Sequence, residues 1–213
     1  METLPVHAVE SVDGDTATRI LDVAERLAMT RGFSRLSYAD IADELGVTKP
    51  ALHYHFRTKA LLGEALVRRY ALRFSDELDR IDSVATDARG KLERYVDMYR
   101  AVLGTGRMCL CGMLAAEYAS LSVGMRSAVN DFFERNEHWL ADVLTRGHER
   151  DSVQLQAAQV SARTIINALE GAMLLARVFQ DVARFDASSQ RLIAEVLRIS
   201  ESANALPVEV AAP

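Results

Sequence analysis

Between Ser37 and Phe56 the chain places two short helix-forming segments around a glycine, and no other stretch restricts its fold so narrowly. Ser37-Tyr-Ala-Asp40 has the form of a capping box with Asp in place of the usual Glu, and opens a short helix with Ile41, Ala42 and Leu45 on its inner face. Gly46 stops it. Thr48 can cap a third helix whose first turn holds Lys49 and Pro50, where a missing N–H costs nothing. Two short helices joined by a Gly-containing turn form a helix-turn-helix.

The remainder reads as helix as well. Apolar residues recur at helical spacing over 16–31 (Ile20, Val23, Ala24, Leu27, Ala28), with Asp15 or Thr16 to cap the start and Gly32 to end it. A longer amphipathic stretch runs from Thr58 to about Arg80. Further segments follow at about 88–104, 107–120, 124–149, 154–182 and 187–203, broken at Gly104-Thr-Gly106, Ser122-Val-Gly124, Arg150-Asp-Ser152 and Arg184–Ser188. With only 4 prolines and 7% aromatics, sandwiches and barrels are disfavoured, and the expected fold is all-α with about nine helices. Residues 1–15 read as a flexible N-terminal arm, and 205–213, with two prolines and no periodicity, as a flexible tail.

Charge is distributed unevenly. The whole chain carries −5, yet residues 16–73 hold ten Lys/Arg against six Asp/Glu, a net of +4, which leaves −9 elsewhere. A basic head on an acidic body suits a protein with one polyanion-binding end. The apolar runs are interrupted by charge before the ~20 residues a membrane span needs, and the first fifteen residues lack the basic and apolar parts of an export signal. Cys109 and Cys111 lie too close in sequence to staple distant segments. A cytoplasmic protein is the expectation.

The stretch Ala39-Asp-Ile-Ala-Asp-Glu-Leu-Gly-Val-Thr-Lys-Pro-Ala-Leu-His-Tyr-His-Phe-Arg-Thr-Lys-Ala-Leu-Leu62 resembles the DNA-binding signature of the TetR family. Its landmarks are Ile41-Ala42, the Gly46-Val-Thr48 turn, Tyr54-x-Phe56 and Lys59; with the pattern from Ile20 to Phe33 and Ser37, the resemblance covers about residues 16–66. It departs from the commonest pattern at Pro50, where Gly is frequent, and at His53, where Tyr is frequent. The resemblance implies a helix-turn-helix DNA-binding domain over 16–62 and a ligand-binding and dimerisation domain over 63–204. It further implies that Thr48, Lys49, Tyr54 and His55 touch DNA and that Lys59 meets a phosphate. The residues point the same way: Leu52 and Phe56, spaced i,i+4, can hold the back of the third helix to the head, leaving Thr48, Lys49, Pro50, Ala51, His53, Tyr54 and His55 toward a major groove. Ser37 and Tyr38, at a helix start, are candidate phosphate contacts. His53 and His55 point ~200° apart on a helix and cannot share a metal; no metal or cofactor is expected.

The body is read directly from its residues. A pocket between the helix from Thr58 and the three helices after it draws its candidate lining from Tyr70, Phe74, Met98, Tyr99, Val102, Cys109, Met113, Glu117, Phe132, Phe133, Asn136, Trp139, Asn167 and Glu170. Mostly apolar with a few polar groups, it suits a small hydrophobic or aromatic effector, although core packing accounts equally well for any one position. Helices 154–182 and 187–203 are candidates for a homodimer interface, the first through Ala158, Ala162, Ile165, Ile166, Leu169, Ala172, Met173 and Ala176. The second offers Leu192, Ile193, Val196, Leu197 and Ser200. The expected function is a dimeric, ligand-released repressor of a palindromic operator in double-stranded DNA. An activator on the same fold, an electrophile or thiol sensor through Cys109 and a DNA-binding protein without a ligand are alternatives. The chain has no Gly-rich phosphate loop, His-x-x-x-His pair or Gly-x-Ser-x-Gly elbow, so an enzyme is not expected.

Overall fold

The computed structural model describes residues 7–145 and 152–204, and every regular element among them is helical. In chain order these are α1 (His7–Arg31), α2 (Tyr38–Leu45), α3 (Lys49–His55), α4 (Lys59–Val84), α5 (Ala88–Gly104) and α6 (Leu110–Ala116). A single 3₁₀ turn (Tyr118–Ser120) and α7 (Val123–Thr145), α8 (Ser152–Phe179) and α9 (Val182–Asn204) follow. Among the described residues no helix is long and apolar enough to cross a membrane.

Three boundaries differ from the sequence expectation. First, α1 begins at His7, so the expected arm is helical from there; once nucleated, a helix propagates through Gly14 and its neighbouring aspartates at modest cost per residue. Second, the segment expected at 107–120 is divided. Cys109 caps α6, its sulfur accepting the Gly112 N–H at 3.4 Å, and the chain tightens into the 3₁₀ turn after Glu117. Third, the break expected at Arg184–Ser188 comes earlier: α8 ends at Phe179 against the expected 182, and α9 begins at Val182 against the expected 187, so 184–188 is helical. Gln180 takes a left-handed φ of 52° and Asp181 N–H returns to the Ala176 carbonyl at 3.0 Å, a Schellman-like closure made without glycine. The expected tail 205–213, the first six residues of the arm and most of the Arg150-Asp-Ser152 break lie outside the described residues.

Packing divides the chain into two compact units, and neither follows the expected boundary at 62/63. One runs to Arg73 and takes in Arg107–Asp131; the other holds Phe74–Gly106 and the chain from Phe132 onward. In the first, α1 crosses α2 and α6, and α2 crosses α3. Its buried core draws Ile20, Ala24 and Leu27 from α1, Ile41 from α2, Leu52 from α3, Leu62 and Leu66 from α4, and Leu110 and Leu114 from α6. Arg69 pairs with Asp22 at 2.8 Å and Glu25 at 3.3 Å, and Arg73 with Glu25 at 2.5 Å, fastening α4 to α1.

In the second unit α8 and α9 pack along one another, and both meet α5. Ala158, Ala162, Ile165, Ile166, Leu169, Met173 and Ala176 of α8, with Ile193 and Val196 of α9, are buried within this unit. They form its core, which corrects their assignment to a subunit interface. Ala172, Leu192 and Leu197 are half-buried, and the Ser200 side chain lies outside the described residues. A different row of α8 faces outward: Val160, Thr164, Asn167, Leu174, Leu175 and Val178 are exposed at helical spacing.

Candidate nucleic-acid interface

The helix-turn-helix is built from local rules that its residues satisfy in detail. Ser37 accepts the Asp40 N–H on its hydroxyl at 3.2 Å, and Asp40 accepts the Ser37 N–H at 2.9 Å and the Ser37 O–H at 2.6 Å, completing the capping box. These hydrogen bonds hold the Asp40 carboxyl below the usual carboxylate range. The α2 helix closes on Gly46, whose φ of 66° and ψ of 33° lie in the left-handed region and whose N–H reaches the Ala42 carbonyl. The chain turns through Val47 into α3.

At the start of α3 the cap differs from expectation. Thr48 makes no side-chain capping bond; its carbonyl accepts Ala51 N–H at 3.0 Å instead, and its side chain stays at the exposed end of the helix. Leu52, 1% exposed, anchors α3, while Tyr54 is 74% exposed. Lys49, Pro50 and His53 are exposed, and Ala51, His55 and Phe56 are half-buried. Tyr54 and His55 meet edge to face, ring centroids 5.1 Å apart. One side of a short helix is thus held to the head while the other presents a hydroxyl, an ammonium, a phenol and imidazole to solvent.

Four expected contact residues already have intramolecular work. The Ser37 hydroxyl is spent in the capping box. Tyr38 donates its O–H to the Phe56 carbonyl at 2.6 Å, which ties α2 to the end of α3, and burial pushes the phenol pKa up so that the donor stays protonated. The His53 ring lies 4.6 Å from the Tyr38 ring, with Nδ1–H donating to the Arg57 carbonyl at 3.2 Å. Lys59 donates to the Ser34 carbonyl at 2.9 Å and sits over the Phe33 ring at 4.9 Å. Burial lowers its pKa against the countering charges of Glu117 and Asp40. What Ser37 and Tyr38 leave open toward an anion is main chain, the first-turn N–H groups of α2.

Comparison with known proteins decides what this geometry belongs to. Residues 20–66 match the family described as bacterial regulatory proteins, tetR family, and residues 91–191 match the C-terminal domain of LmrA/YxaF-like transcriptional regulators. The chain belongs to the TetR family. TetR-family relatives include the HTH-type transcriptional repressor NemR of Escherichia coli (strain K12), 27% identical over 157 residues that cover 68% of this chain and 78% of NemR. The nucleoid occlusion factor SlmA of Vibrio campbellii is 28% identical, over 71% of this chain and 78% of its own length. A TetR transcriptional regulator from Legionella pneumophila superposes with a TM-score of 0.77 at 27% identity, covering 92% of this chain and 99% of that one. As a TetR-family member the chain is a DNA-binding transcriptional regulator, not an enzyme.

The residues expected to line one effector pocket fall into both units. In the second, Phe74, Tyr99, Phe132, Asn136 and Trp139 come together around Tyr95. Phe74 meets Phe132 edge to face at 5.0 Å, Trp139 stacks on Tyr95 at 5.6 Å, and the Tyr95 O–H donates to Asn136 Oδ1 at 3.1 Å. Phe133 packs edge to face on Phe132 at 5.3 Å, and Met98, Val102 and Glu170 are half-buried. Asn167 is exposed on the outer row of α8, which removes it from any buried lining. In the first unit Tyr70 donates to the Cys109 sulfur at 3.7 Å, and Met113 lies near Gly32. Glu117 turns to the α1–α2 loop, where it accepts the Ser34 N–H at 2.7 Å, and so is corrected from pocket lining to head contact. Cys109 and Cys111 are both buried, so an electrophile reaches neither thiol without local opening.

Sequence reasoning missed Tyr95, Lys91 and Asp82. Lys91 is buried and paired with Asp82, whose other carboxylate oxygen accepts the Trp139 indole N–H at 3.1 Å. The i,i+4 spacing of Tyr95 and Tyr99 on α5 was the available signal for the first; a lysine in a charged helical stretch gives none for the second.

Proposed function

We propose that this chain is a homodimeric repressor that reads a palindromic operator through α3 and is released by a small hydrophobic or aromatic effector. The observation that carries the reading is the two-sidedness of α3, with Leu52 buried and Lys49 and Tyr54 turned outward on a helix entered from a Gly46 turn. In this reading Thr48, Lys49, Pro50, Tyr54 and His55 address base edges and flanking phosphates, with Ala51 close against the groove floor. The N–H groups of Tyr38 and Ala39 at the start of α2 and the donors Lys59 keeps beyond Ser34 address the backbone. Acting on chromosomal DNA, the protein works in the cytoplasm.

The exposed row of α8 supports the dimer. Leu174, Leu175 and Val178 are exposed at helical spacing with Val160 about four to five turns earlier, and a self-complementary helix face is the simplest occupant for such a stripe. For the effector, the buried aromatic cluster around Tyr95 is the candidate lining, with the phenol of Tyr99 and the amide of Asn136 as its polar groups. An effector that favours a tilted α4 over the operator-matched conformation opposes DNA by linkage, and its two affinities must differ for release to occur.

Selection of duplexes from a random-sequence pool by the purified protein, at near-physiological salt, tests the reading. A palindrome with half-sites about 34 Å apart or a little more is expected to be enriched. A folded dimer that enriches nothing would remove the operator from the account.

A further inference from the structure

Arg107–Asp131 follows the body helix α5 in sequence, yet it is held to the head by a series of specific contacts. Met108 N–H donates to the Met29 carbonyl at 3.0 Å, Ser122 O–H to Glu64 at 3.0 Å, and Tyr70 O–H to Cys109 at 3.7 Å. The contact at Glu117 stands apart, because it places a carboxylate on the loop that leads into α2.

That loop is gripped on both sides of one residue. Ser34 donates its N–H to Glu117 Oε2 at 2.7 Å, and its carbonyl accepts from Lys59 Nζ at 2.9 Å. Two residues earlier, Gly32 has a φ of 91°, and any side chain there would run into the Glu117 carboxylate. Phe33 lies beneath the Lys59 ammonium. Three residues after Ser34, Ser37 starts the capping box, and Tyr38 carries the constraint across to Phe56 at the end of α3. Hydrogen bonds to an ionised partner are roughly twice as strong as neutral ones, so the Ser34 peptide is held on both sides by charge-assisted bonds.

We propose that Glu117 is a positioning residue for DNA binding: through the Ser34 peptide it fixes the loop that sets the N-terminus of α2, and it keeps Lys59 in place beside that loop. It touches no DNA itself. The Glu117 carboxylate, with Asp40, opposes the burial that depresses the Lys59 pKa.

The full-length chain carrying Glu117→Ala or Glu117→Gln tests this, by amide hydrogen exchange over residues 33–38 and by titration of the duplex enriched from the random pool. Loss of one charge-assisted hydrogen bond is expected to raise exchange over 33–38, and to lower duplex affinity, by about tenfold each in Glu117→Ala. Glu117→Gln keeps the acceptor and is expected to stay within about threefold of the parent on both. Exchange over α8 is expected to be unchanged. Unaltered loop exchange in Glu117→Ala would overturn the contact, and faster loop exchange with unaltered affinity would reduce Glu117 to a purely structural role. Should Glu117→Ala not fold, Glu117→Asp, one methylene short of Ser34, reads the same two quantities. If the parent chain binds no duplex, the operator reading fails, and this proposal with it.

Discussion

At the scale of single residues, the surface proposed to face DNA is assembled from side chains that mostly brace one another. Ser37 caps α2, Tyr38 links α2 to α3, His53 leans on Tyr38, and Lys59 holds Ser34. Such bracing fixes the few groups left pointing outward, Lys49 and Tyr54 above all, because a recognition side chain discriminates only as well as its backbone is placed. Ser37→Ala removes a helix cap and is expected to cost about 1 kcal/mol of stability, measurable by urea unfolding. It also changes the acid side of the stability curve. The Asp40 pKa is depressed in the folded state, so its contribution is present above the usual carboxylate range and is lost as pH falls through the depressed folded value. Without Ser37 the carboxyl moves back toward its ordinary value, and unfolding midpoints of the variant and the parent are expected to converge as pH falls below 4 or so. A gap that stays constant from neutral pH to about pH 3 would contradict the coupling of these two residues.

Elements show how much of the molecule was legible in its sequence. Ser37, Gly46 and Pro50 placed α2 and α3 to within a residue, because capping, left-handed closure and first-turn proline are local chemistry that the chain cannot override cheaply. The end of α8 escaped, since Gln180 supplies the left-handed residue for which glycine is the readable sign. The faces of α8 were misassigned for a different reason. Periodicity finds an apolar stripe and cannot tell which of two stripes packs inside the chain; here Ile165, Leu169 and Met173 went inward, leaving Leu174 and Val178 outside. Glu117 and Asn167 were misplaced for want of tertiary information, as no local pattern says that a glutamate after α6 will cap Ser34 of another segment. The corrected face makes a sharp prediction. Val178, 72% exposed, lies on the proposed interface, so Val178→Glu is expected to yield monomers in sedimentation equilibrium while changing chain stability by no more than about 0.5 kcal/mol. An intact dimer would move the interface elsewhere.

The molecule as a whole is a TetR-family regulator whose two compact units do not divide at a single point along the chain. The long α4 contributes residues to both compact units, and Arg107–Asp131 returns to pack with the head after α5 has built part of the other unit. The returning segment is tied to the head by specific contacts, among them the hydrogen bond from Ser34 N–H to Glu117. The charge division has the same logic. Arg26, Arg69 and Arg73 are consumed by Glu44, Asp22 and Glu25, while Arg35, Lys49 and Arg57 are exposed around α2 and α3 and Arg19, Arg31 and Arg68 on α1 and α4, so part of the basic surplus counted in the sequence flanks the face proposed for a polyanion. The most direct test of the account is the affinity of the chain carrying Lys49→Ala and Tyr54→Ala together, measured against the enriched duplex and against a scrambled one. Both side chains are exposed, so the melting temperature is expected to stay within a few degrees, while affinity for the enriched duplex falls about 100-fold and the preference over the scrambled duplex is largely erased. Undiminished preference in a folded double variant would show that DNA is not read by the outer face of α3.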